Sequence, residues 1–249
     1  MDQIHDAVRQ QFSQHAKYYA QSKVHSEGET LGVLVDFAEP NGAEKALDIA
    51  TGTGFTAFAF APKVAHVIAT DLTPAMLDQA KTLADERGLK NIDFQVASAE
   101  ALPFEAAHHF QDVPQFLLET YRVLCPGGLF CMVDSVCPES ERLIEWQNRV
   151  EKLRDHSHVW GYPPSQWQNM IEETGFTIEK EVHTHNALQP FSWWADRPGN
   201  SPELVRQLRA AFDELTPEEE PIFAIQREPE EFYFAWPMYC VKARKLDAP

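Results

Sequence analysis

Residues 45–57 read KALDIATGTGFTA, and this stretch decides the fold. KALDIA is a short apolar run of the kind that forms a buried strand, and the TGTG that follows is typical of a tight turn. Gly52 and Gly54 let the backbone turn sharply and approach a ligand closely. FTAFAFAP continues as a helix that ends at Pro62, and its first turn presents free N–H groups. The stretch therefore predicts a strand, a ligand-binding loop and a helix.

The alternation of strand and helix continues along the chain. HVIATD at 66–71 and NIDFQVAS at 91–98 are predicted strands, and the helix between them has Thr73 as its N-cap. Further strands are predicted at 129–136, in FTIEKEVHTHNAL and in FYFAWPMYCVKARK, where Pro237 indicates a bulge or an edge strand. This order predicts an α/β fold whose parallel sheet is covered by helices on both faces.

The composition limits the partners. The chain has 249 residues, of which 44% are hydrophobic, and this is enough for a sizeable core. Its formal net charge of -17 repels the phosphates of nucleic acids and of anionic membranes, so we expect a small or uncharged substrate. The four cysteines form no Cys-x-x-Cys pair, and no apolar stretch is long enough to span a bilayer. We therefore expect a cytoplasmic protein with reduced thiols, for which a homodimer is one option.

Three polar features surround the predicted loop. Asp48 lies inside the first strand, four residues before Gly52, where it would repel a pyrophosphate and attract an ammonium group. Asp71 ends the second strand, where a carboxylate can bind both hydroxyls of a ribose. A Ser-Ala-Glu turn at 98–100 can contact an adenine edge. Together these features predict a site for an adenosine joined to a methionine.

The glycine pattern also has a second interpretation. Gly52-x-Gly54-x-x-Ala57 matches the dinucleotide fingerprint, which is typical of nicotinamide-dependent oxidoreductases. Asp48 and the ALPF segment at 101–104 count against this alternative, and ligand binding would separate the two functions.

Five segments resemble the motifs of class I S-adenosylmethionine-dependent methyltransferases: ALDIATGTG, VIATDLTPAMLDQA, ASAEALPF, AAHHFQDV and YRVLCPGGLFCMVD. Within that class the chain is most similar to the ubiquinone/menaquinone-biosynthesis C-methyltransferases, and FSQHAKYYAQSKVHSEG and LRDHSHV resemble an uncharacterised bacterial subgroup. The resemblance implies a Rossmann-like doubly wound, mostly parallel sheet with an antiparallel last strand. It also implies an N-terminal helical lid at 1–40 and a methyltransferase domain at 41–249, with helical cap insertions at about 139–160 and 189–227.

The resemblance implies a set of residues that bind S-adenosyl-L-methionine. Asp48, Gly52 and Gly54 would hold the methionine end, Asp71 the ribose and Leu72 the adenine. Many relatives carry Asp where Ser98 stands, so the contact of Ser98 with the adenine would be weaker. The predicted cofactor-binding residues are Asp48, Ala50, Gly52, Thr53, Gly54, Asp71, Leu72, Met76, Ser98, Ala99, Glu100 and Tyr19. Phe12 and Tyr19 would either close over the cofactor or pack as an ordinary amphipathic helix.

Histidines are the candidates for catalysis of methyl transfer to a small-molecule acceptor. His108 and His109 would stand near the transferred methyl, where one could act as a base, or they could cap a helix and pack. His156 and His158 could also face the pocket. His183 and His185 share one face of a strand, but no third ligand is identified, so no metal is expected. Phe191, Trp193 and Trp194 would line an acceptor pocket or dock the cap onto the core. The acceptor, and whether its carbon, nitrogen or oxygen is methylated, is not predicted.

The segment LPFEAAHHFQDV at 102–113 is shorter than the resemblance implies. In relatives, LPF is followed by a loop and by the fourth strand, which lies beside the first strand, and only then by AAHHF. Here Glu105 alone separates the two motifs. Either the working protein contains roughly ten more residues at this point, or the deletion is genuine and the sheet has lost a central strand. We favour the first explanation; a genuine deletion would favour a non-catalytic cofactor-binding protein.

Overall fold

The computed structural model describes residues 29–97, 110, 112–196 and 200–246. Residues 1–28 of the predicted lid and the joint at Glu105 therefore lie outside the described residues, whereas residues 29–40 are described. The described helices are α1 Glu29–Ala38, α2 Phe55–Phe60, α3 Pro74–Glu86, α4 Val113–Val123, α5 Glu141–Arg154, α6 Pro164–Glu173, α7 Phe191–Ala195 and α8 Pro202–Phe212, with short 3₁₀ helices at Ala61–Lys63 and Glu220–Phe223. The described strands are β1 Lys45–Ile49, β2 His66–Asp71, β3 Ile92–Val96, β4 Leu129–Ser135, β5 Phe176–His185, β6 Gln189–Pro190, β7 Gln226–Arg227, β8 Phe232–Phe234 and β9 Pro237–Lys245.

The first half of the fold is a parallel sheet with the order β1-β2-β3. Helices α2 and α3 pack on it, and Phe58, Val67, Ala69 and Ala80 are among the buried residues of their shared core. The predicted start of α3 is confirmed, because Thr73 is its N-cap and Pro74 its first residue. This half places the carboxyl ends of β1 and β2, and hence the loop after β1, at one edge of the sheet.

The second half is a three-stranded sheet with the order β4-β9-β5, in which β9 runs antiparallel to both neighbours. Helices α4 and α6 pack against one face of this sheet. Their core includes Phe116, Trp167 and Tyr239, and it extends to Leu72 and Met76 from the first half. The two halves therefore share one hydrophobic core.

The prediction that Pro237 marks a bulge or an edge strand was wrong. The segment FYFAWPMYCVKARK forms two strands, β8 and β9, and Pro237 is the first residue of β9, which is a central strand. Proline is accepted at the first residue of a strand, because its missing N–H is not needed for the ladder there. The one register shift in this sheet lies in β5, between Ile178 and Lys180.

The remaining elements form a cap, which we define as α5, α7, α8 and the small sheet β6-β8-β7. The cap has its own core, in which the aromatic rings of Trp146, Phe191, Trp194 and Phe212 contact one another. Phe191 and Trp194 are fully or almost fully buried in this core, while Trp193 is 37% exposed. Of the two roles expected for the aromatic cluster at 191–194, packing is therefore the one that Phe191 and Trp194 have in this structure.

In the part of the chain that the structure describes, no strand pairing joins the two half-sheets. Among the described residues, no strand pairs with the outer edge of β1 or with the outer edge of β4. The run KALDI predicts a strand buried on both faces, but no residue of β1 is buried and Leu47 is 37% exposed. Helix α1 contacts α2 on one side of the break and β4 and β9 on the other. The break lies where the sequence predicts the fourth strand.

A search for helices that combine enough length and enough apolar character to cross a membrane finds none in the described ranges.

Candidate functional site

The glycine loop, residues 50–54, follows the carboxyl end of β1. The Thr51 N–H donates to the Thr70 carbonyl at 2.9 Å, and the Gly54 N–H donates to the Thr51 carbonyl at 2.8 Å. Ala50 has a φ of 65°, which is left-handed and costs a residue with a Cβ atom about 1–2 kcal/mol. Strain of this kind is retained where the surrounding structure fixes it, and functional loops are a common place for it.

Gly54 is required by its surroundings as well as by its backbone. Its φ is 92°, and a Cβ atom there would lie 2.6 Å from Cζ of Phe58. Phe58 is buried and its ring packs edge-on against Phe55, so the ring cannot move freely. At Gly52, in contrast, a Cβ atom would meet no atom of the described residues within 4 Å.

We expect Gly54→Ala to destabilise the protein more than Gly42→Ala does. Gly42 has nearly the same φ, 94°, but a Cβ atom there meets nothing within 4 Å. Both variants carry the backbone strain, and only Gly54→Ala adds the clash with Phe58, which costs about 1–3 kcal/mol. Urea unfolding of both variants measures the difference in free energy of unfolding. Equal losses would show that the clash is absent.

Asp48 lies on β1 under the glycine loop. Its Oδ2 accepts a hydrogen bond from Thr51 Oγ1 at 2.6 Å. Protein atoms crowd the carboxylate, yet part of the residue remains exposed to solvent. Burial raises the pKa of Asp48 to about 6, and the nearby charge of Asp71 adds to this, while the Thr51 hydroxyl opposes it. Above that pH the loop carries a negative charge that lacks a cationic partner among the atoms described around it.

Asp71 ends β2 and is fully buried. Its Oδ2 accepts from the Gly52 N–H at 2.9 Å, and its Oδ1 accepts from the Thr73 N–H at 2.8 Å. Burial raises the pKa of Asp71 to about 6, and these two N–H donors oppose the rise. In this structure Asp71 therefore ties the glycine loop to the start of α3.

Leu72 and Met76 continue from Asp71 and are both buried in the core shared by the two halves. Thr53 is buried as well. The structure thus brings together Asp48, the glycine loop, Asp71, Leu72 and Met76. The other predicted site residues, Tyr19, Ser98, Ala99, Glu100, His108 and His109, lie outside the described residues, as does Phe12.

Thr51 is a site residue that the sequence analysis missed. It is buried and holds the Asp48 carboxylate with its hydroxyl. A signal was present, because a threonine a few residues after an aspartate in a turn often forms such a local hydrogen bond.

The four other histidines named as candidates, His156, His158, His183 and His185, have separate surroundings. His158 is buried, and its Nε2 lies 2.8 Å from Oδ1 of Asn148, whereas His156 is exposed. His183 contacts the ring of Tyr239, and Nε2 of His185 lies 2.9 Å from the carbonyl of Ile222. Within the described ranges, no group of three or more His, Cys, Asp or Glu residues could hold a metal ion.

Comparison with known proteins identifies the family. A family model described as a methyltransferase domain matches residues 47–132. A Bacillus subtilis (strain 168) protein, the uncharacterized methyltransferase YcgJ, is 35% identical over 225 residues, with 86% of this chain and 88% of that protein covered. The demethylmenaquinone methyltransferase of Thermus thermophilus is 35% identical over 113 residues, with 40% of this chain and 51% of that protein covered.

Solved structures agree with this assignment. The crystal structure of a methyltransferase candidate from Bacillus halodurans C-125 superposes with a TM-score of 0.80 at 34% identity, with 87% of this chain and 98% of that chain covered. Two more distant structural neighbours, each 15% identical, are complexes with S-adenosylhomocysteine or S-adenosylmethionine, and at that identity the likeness concerns the fold alone. The chain belongs to the S-adenosylmethionine-dependent methyltransferases, and its activity is the transfer of a methyl group to an acceptor.

Proposed function

We propose that the chain binds S-adenosylmethionine at the glycine loop and methylates a small-molecule acceptor. The observation that carries this proposal is the position of Asp48, a partly exposed residue whose carboxylate accepts a hydrogen bond from Thr51 of the glycine loop. A carboxylate at this point suits the ammonium of a methionine and repels a pyrophosphate. The proposal therefore favours S-adenosylmethionine over a nicotinamide dinucleotide.

The residues that surround the loop fit the methionine end. Asp48 would pair with the ammonium, and Gly52 and Gly54 would let the ligand lie against the backbone. Thr51 would keep the Asp48 carboxylate oriented. Ala50 and Thr53 complete the loop.

The ribose of the cofactor fits the structure less simply than its methionine end does. Asp71 already uses both oxygens for the N–H groups of Gly52 and Thr73. A carboxylate oxygen can accept a second hydrogen bond, but Asp71 has no exposed surface. Asp71 would therefore bind the ribose only after the contact with Gly52 opens. Leu72 and Met76 would supply an apolar surface for the adenine, together with the predicted contacts of Ser98, Ala99, Glu100 and Tyr19.

When bound, S-adenosylmethionine supplies a methyl group that is already electrophilic because it is carried by a sulfonium. The chain then has to orient the acceptor and exclude water, and orientation supplies most of the rate enhancement. His108 or His109 would hold or accept the proton of an acceptor hydroxyl or amine. Both assignments remain predictions from the sequence.

A thermal-melting experiment discriminates between the two cofactors. We expect S-adenosylhomocysteine at about 100 times its Kd to stabilise the chain by about 2.7 kcal/mol, which raises the Tm by about 5 °C or more for a chain of this size. We expect NAD to leave the Tm unchanged. A shift with NAD and none with S-adenosylhomocysteine would favour the oxidoreductase.

The raised pKa of Asp48 predicts how affinity depends on pH. The folded value of about 6 lies above the unfolded value near 3.9, so stability falls as the pH rises from about 4 to about 6, and the full cost of the ionised carboxylate is present above 6. A bound ammonium favours the ionised form. We expect affinity for S-adenosylhomocysteine to be constant above about pH 7 and to fall up to about tenfold per unit below 6. Binding near pH 5 should release protons.

Calorimetry in two buffers with different ionisation enthalpies measures this proton release. Asp71 has a similarly raised pKa, so its carboxyl group titrates in the same pH range. The Asp48→Asn variant isolates the contribution of Asp48, and we expect its residual affinity to vary less with pH. An affinity that is equal at pH 5 and pH 8 would contradict the ion pair.

A further inference from the structure

Thr73 carries a buried hydroxyl that makes no hydrogen bond to a described residue. Thr73 lies two positions after Asp71, at the start of α3, and it has no exposed surface. Its Oγ1 lacks a hydrogen-bond partner in the part of the chain that the structure describes. Buried hydroxyls are normally hydrogen-bonded, because a hydroxyl that leaves water without gaining a partner lowers stability. The position of this hydroxyl therefore needs a physical reason.

Capping of α3 does not supply that reason. Thr73 is the N-cap, but its side chain accepts no hydrogen bond from the helix. Pro74 has no N–H to offer, and the Met76 N–H donates instead to the Thr73 carbonyl at 2.9 Å. Ser201, the N-cap of α8, also precedes a proline, yet its hydroxyl accepts from the Leu204 N–H at 3.1 Å. The same local sequence pattern therefore allows a capping hydroxyl, and Thr73 does not use it.

The Thr73 hydroxyl lies beside the carboxylate of Asp71. Burial raises the pKa of Asp71 to about 6, and the Thr73 side chain is among the groups that oppose this rise, so it is close to the carboxylate. The two oxygens of Asp71 already accept from the Thr73 N–H at 2.8 Å and from the Gly52 N–H at 2.9 Å. The hydroxyl is thus a third donor that stands next to the carboxylate without hydrogen-bond geometry.

Binding of a ribose changes the number of donors to Asp71. Its carboxylate would reach the ribose hydroxyls only after the Gly52 N–H releases it, and a buried ionised group that loses a donor is strongly destabilised. Thr73 belongs to the same short segment as Asp71, and Leu72 between them is anchored in the core. The Thr73 hydroxyl therefore stays beside the carboxylate when the glycine loop moves. A hydroxyl reorients by rotation about single bonds, so it can become a donor without a change in the backbone.

We infer that Thr73 is a positioning residue for the cofactor, and that its hydroxyl donates to Asp71 when Gly52 releases that carboxylate to the ribose. The inference rests on the proposed function. One donor replaces another, so the carboxylate stays ionised and keeps the orientation in which it accepts from the ribose hydroxyls. The hydroxyl is unpaired in the free protein because its partner position is occupied only in the bound state.

The test compares two ligands by calorimetry on the full chain: S-adenosylhomocysteine and its 2′,3′-dideoxy analogue, which lacks the ribose hydroxyls. We expect Thr73→Val to weaken the binding of S-adenosylhomocysteine about tenfold, the effect of one hydrogen bond to a charged group. Binding of the dideoxy analogue should change by no more than about twofold, because Asp71 has no hydroxyls to bind there. Thr73→Ser keeps the hydroxyl and should bind S-adenosylhomocysteine within about threefold of the wild type.

Thr120→Val is the matched control. Thr120 lies on α4 and is buried, and its Oγ1 likewise has no hydrogen-bond partner among the described residues. A methyl group in place of an unpaired buried hydroxyl removes a desolvated polar group, so both valine variants should unfold in urea at or above the wild-type midpoint. Loss of a helix cap would instead lower the midpoint of Thr73→Val alone. Thr120→Val should bind S-adenosylhomocysteine within about twofold of the wild type.

The outcomes separate the inference from the proposed function. Undiminished binding of S-adenosylhomocysteine by Thr73→Val, or an equal loss for both ligands, would overturn the inference and leave the proposed function standing. An equal loss is also what a merely misfolded Thr73→Val would give, and failure of Thr73→Ser to restore binding would count in the same way. A folded wild-type chain that does not bind S-adenosylhomocysteine would overturn the proposed function, and the inference with it.

Discussion

Insertion of about 11–13 residues with a strand sequence between Glu105 and Ala106 is expected to stabilise the protein and to tighten the binding of S-adenosylhomocysteine. A central strand of about 5–6 residues buries about three side chains on the faces of the sheet, each worth about 1.5–3 kcal/mol. We expect the strand insert to give a higher free energy of unfolding than an insert of equal length made of glycine and serine, because it buries apolar side chains and also covers the open edges of β1 and β4.

The sheet itself provides the first reason for this expectation. Six of the described strands form the two half-sheets β1-β2-β3 and β4-β9-β5, and the outer edges of β1 and β4 carry no partner among the described strands. The residues of β1 alternate between exposed and partly exposed, although the pattern KALDI is that of a buried strand. β2, which has neighbours on both sides, is buried at most of its positions.

The length of chain available provides the second reason. The Ala97 N–H donates to the Asp71 carbonyl at 3.3 Å, so the chain leaves β3 at the carboxyl edge of the sheet. Phe110 lies in the same core as Leu72, so the chain returns to that edge. A parallel strand that ends there needs its own 5–6 residues and a crossover of about 10–12. The twelve residues at 98–109 are too few for both.

The relatives provide the third reason. The alignment with the Bacillus subtilis protein runs over 225 positions, whereas 86% of the 249 residues of this chain are about 214 residues. The alignment with the Thermus thermophilus protein runs over 113 positions, whereas 40% of this chain is about 100 residues. About 11–13 residues of each relative therefore have no counterpart in this chain, and a segment of that length inserted among residues 98–109 would satisfy the requirement for a strand and its crossover.

Hydrogen exchange and urea unfolding check the prediction. The strand insert should slow the exchange of backbone amides in β1 and β4, because their outer edges become paired. The glycine and serine insert should not. Equal exchange and equal unfolding free energies for the two inserts would contradict the missing strand. Slower exchange without tighter ligand binding would support the strand and count against the cofactor site.

Asp48→Asn is expected to weaken the binding of S-adenosylhomocysteine by about 2–3 kcal/mol, or roughly 30–150-fold, because it removes a charge-assisted hydrogen bond. The same change should stabilise the free protein by about 1–2 kcal/mol at pH 7.5, because the ionised carboxylate lies among protein atoms that raise its pKa. Asparagine retains an oxygen that can accept from Thr51. Opposite effects on binding and on stability are the signature of a group held for its ligand.

Asp78→Asn is the matched control for this substitution. Asp78 is on α3, and its side chain is 73% exposed. We expect changes of no more than about 0.5 kcal/mol in stability and none in affinity. Calorimetry and urea unfolding measure both quantities for both variants. Undiminished affinity in Asp48→Asn would remove Asp48 from the site.

The sequence predicts the first half of the fold well, because its signals are local. Apolar runs, the glycines at 52 and 54, and the Thr73-Pro74 pair each act within a few residues, and β1, β2 and α3 lie where they indicate. The segment around Pro237 was misjudged because the boundary between β8 and β9 is decided by pairing with two different sheets. No local pattern contains that information.

The candidate site shows the same division between local signals, which the sequence carries, and long-range contacts, which it does not. Asp48 and Asp71 are recognisable from their distance to the glycine loop, but the hydrogen bond from Gly52 to Asp71 joins residues on different strands.

The measurement that tests the account most directly is a calorimetric titration of the purified, folded chain with S-adenosylhomocysteine. The account predicts a one-site isotherm with one ligand per chain, which becomes weaker in Asp48→Asn. The absence of binding to a sample shown to be folded by circular dichroism would contradict it, because the glycine loop, Asp48 and Asp71 would then not form a cofactor site.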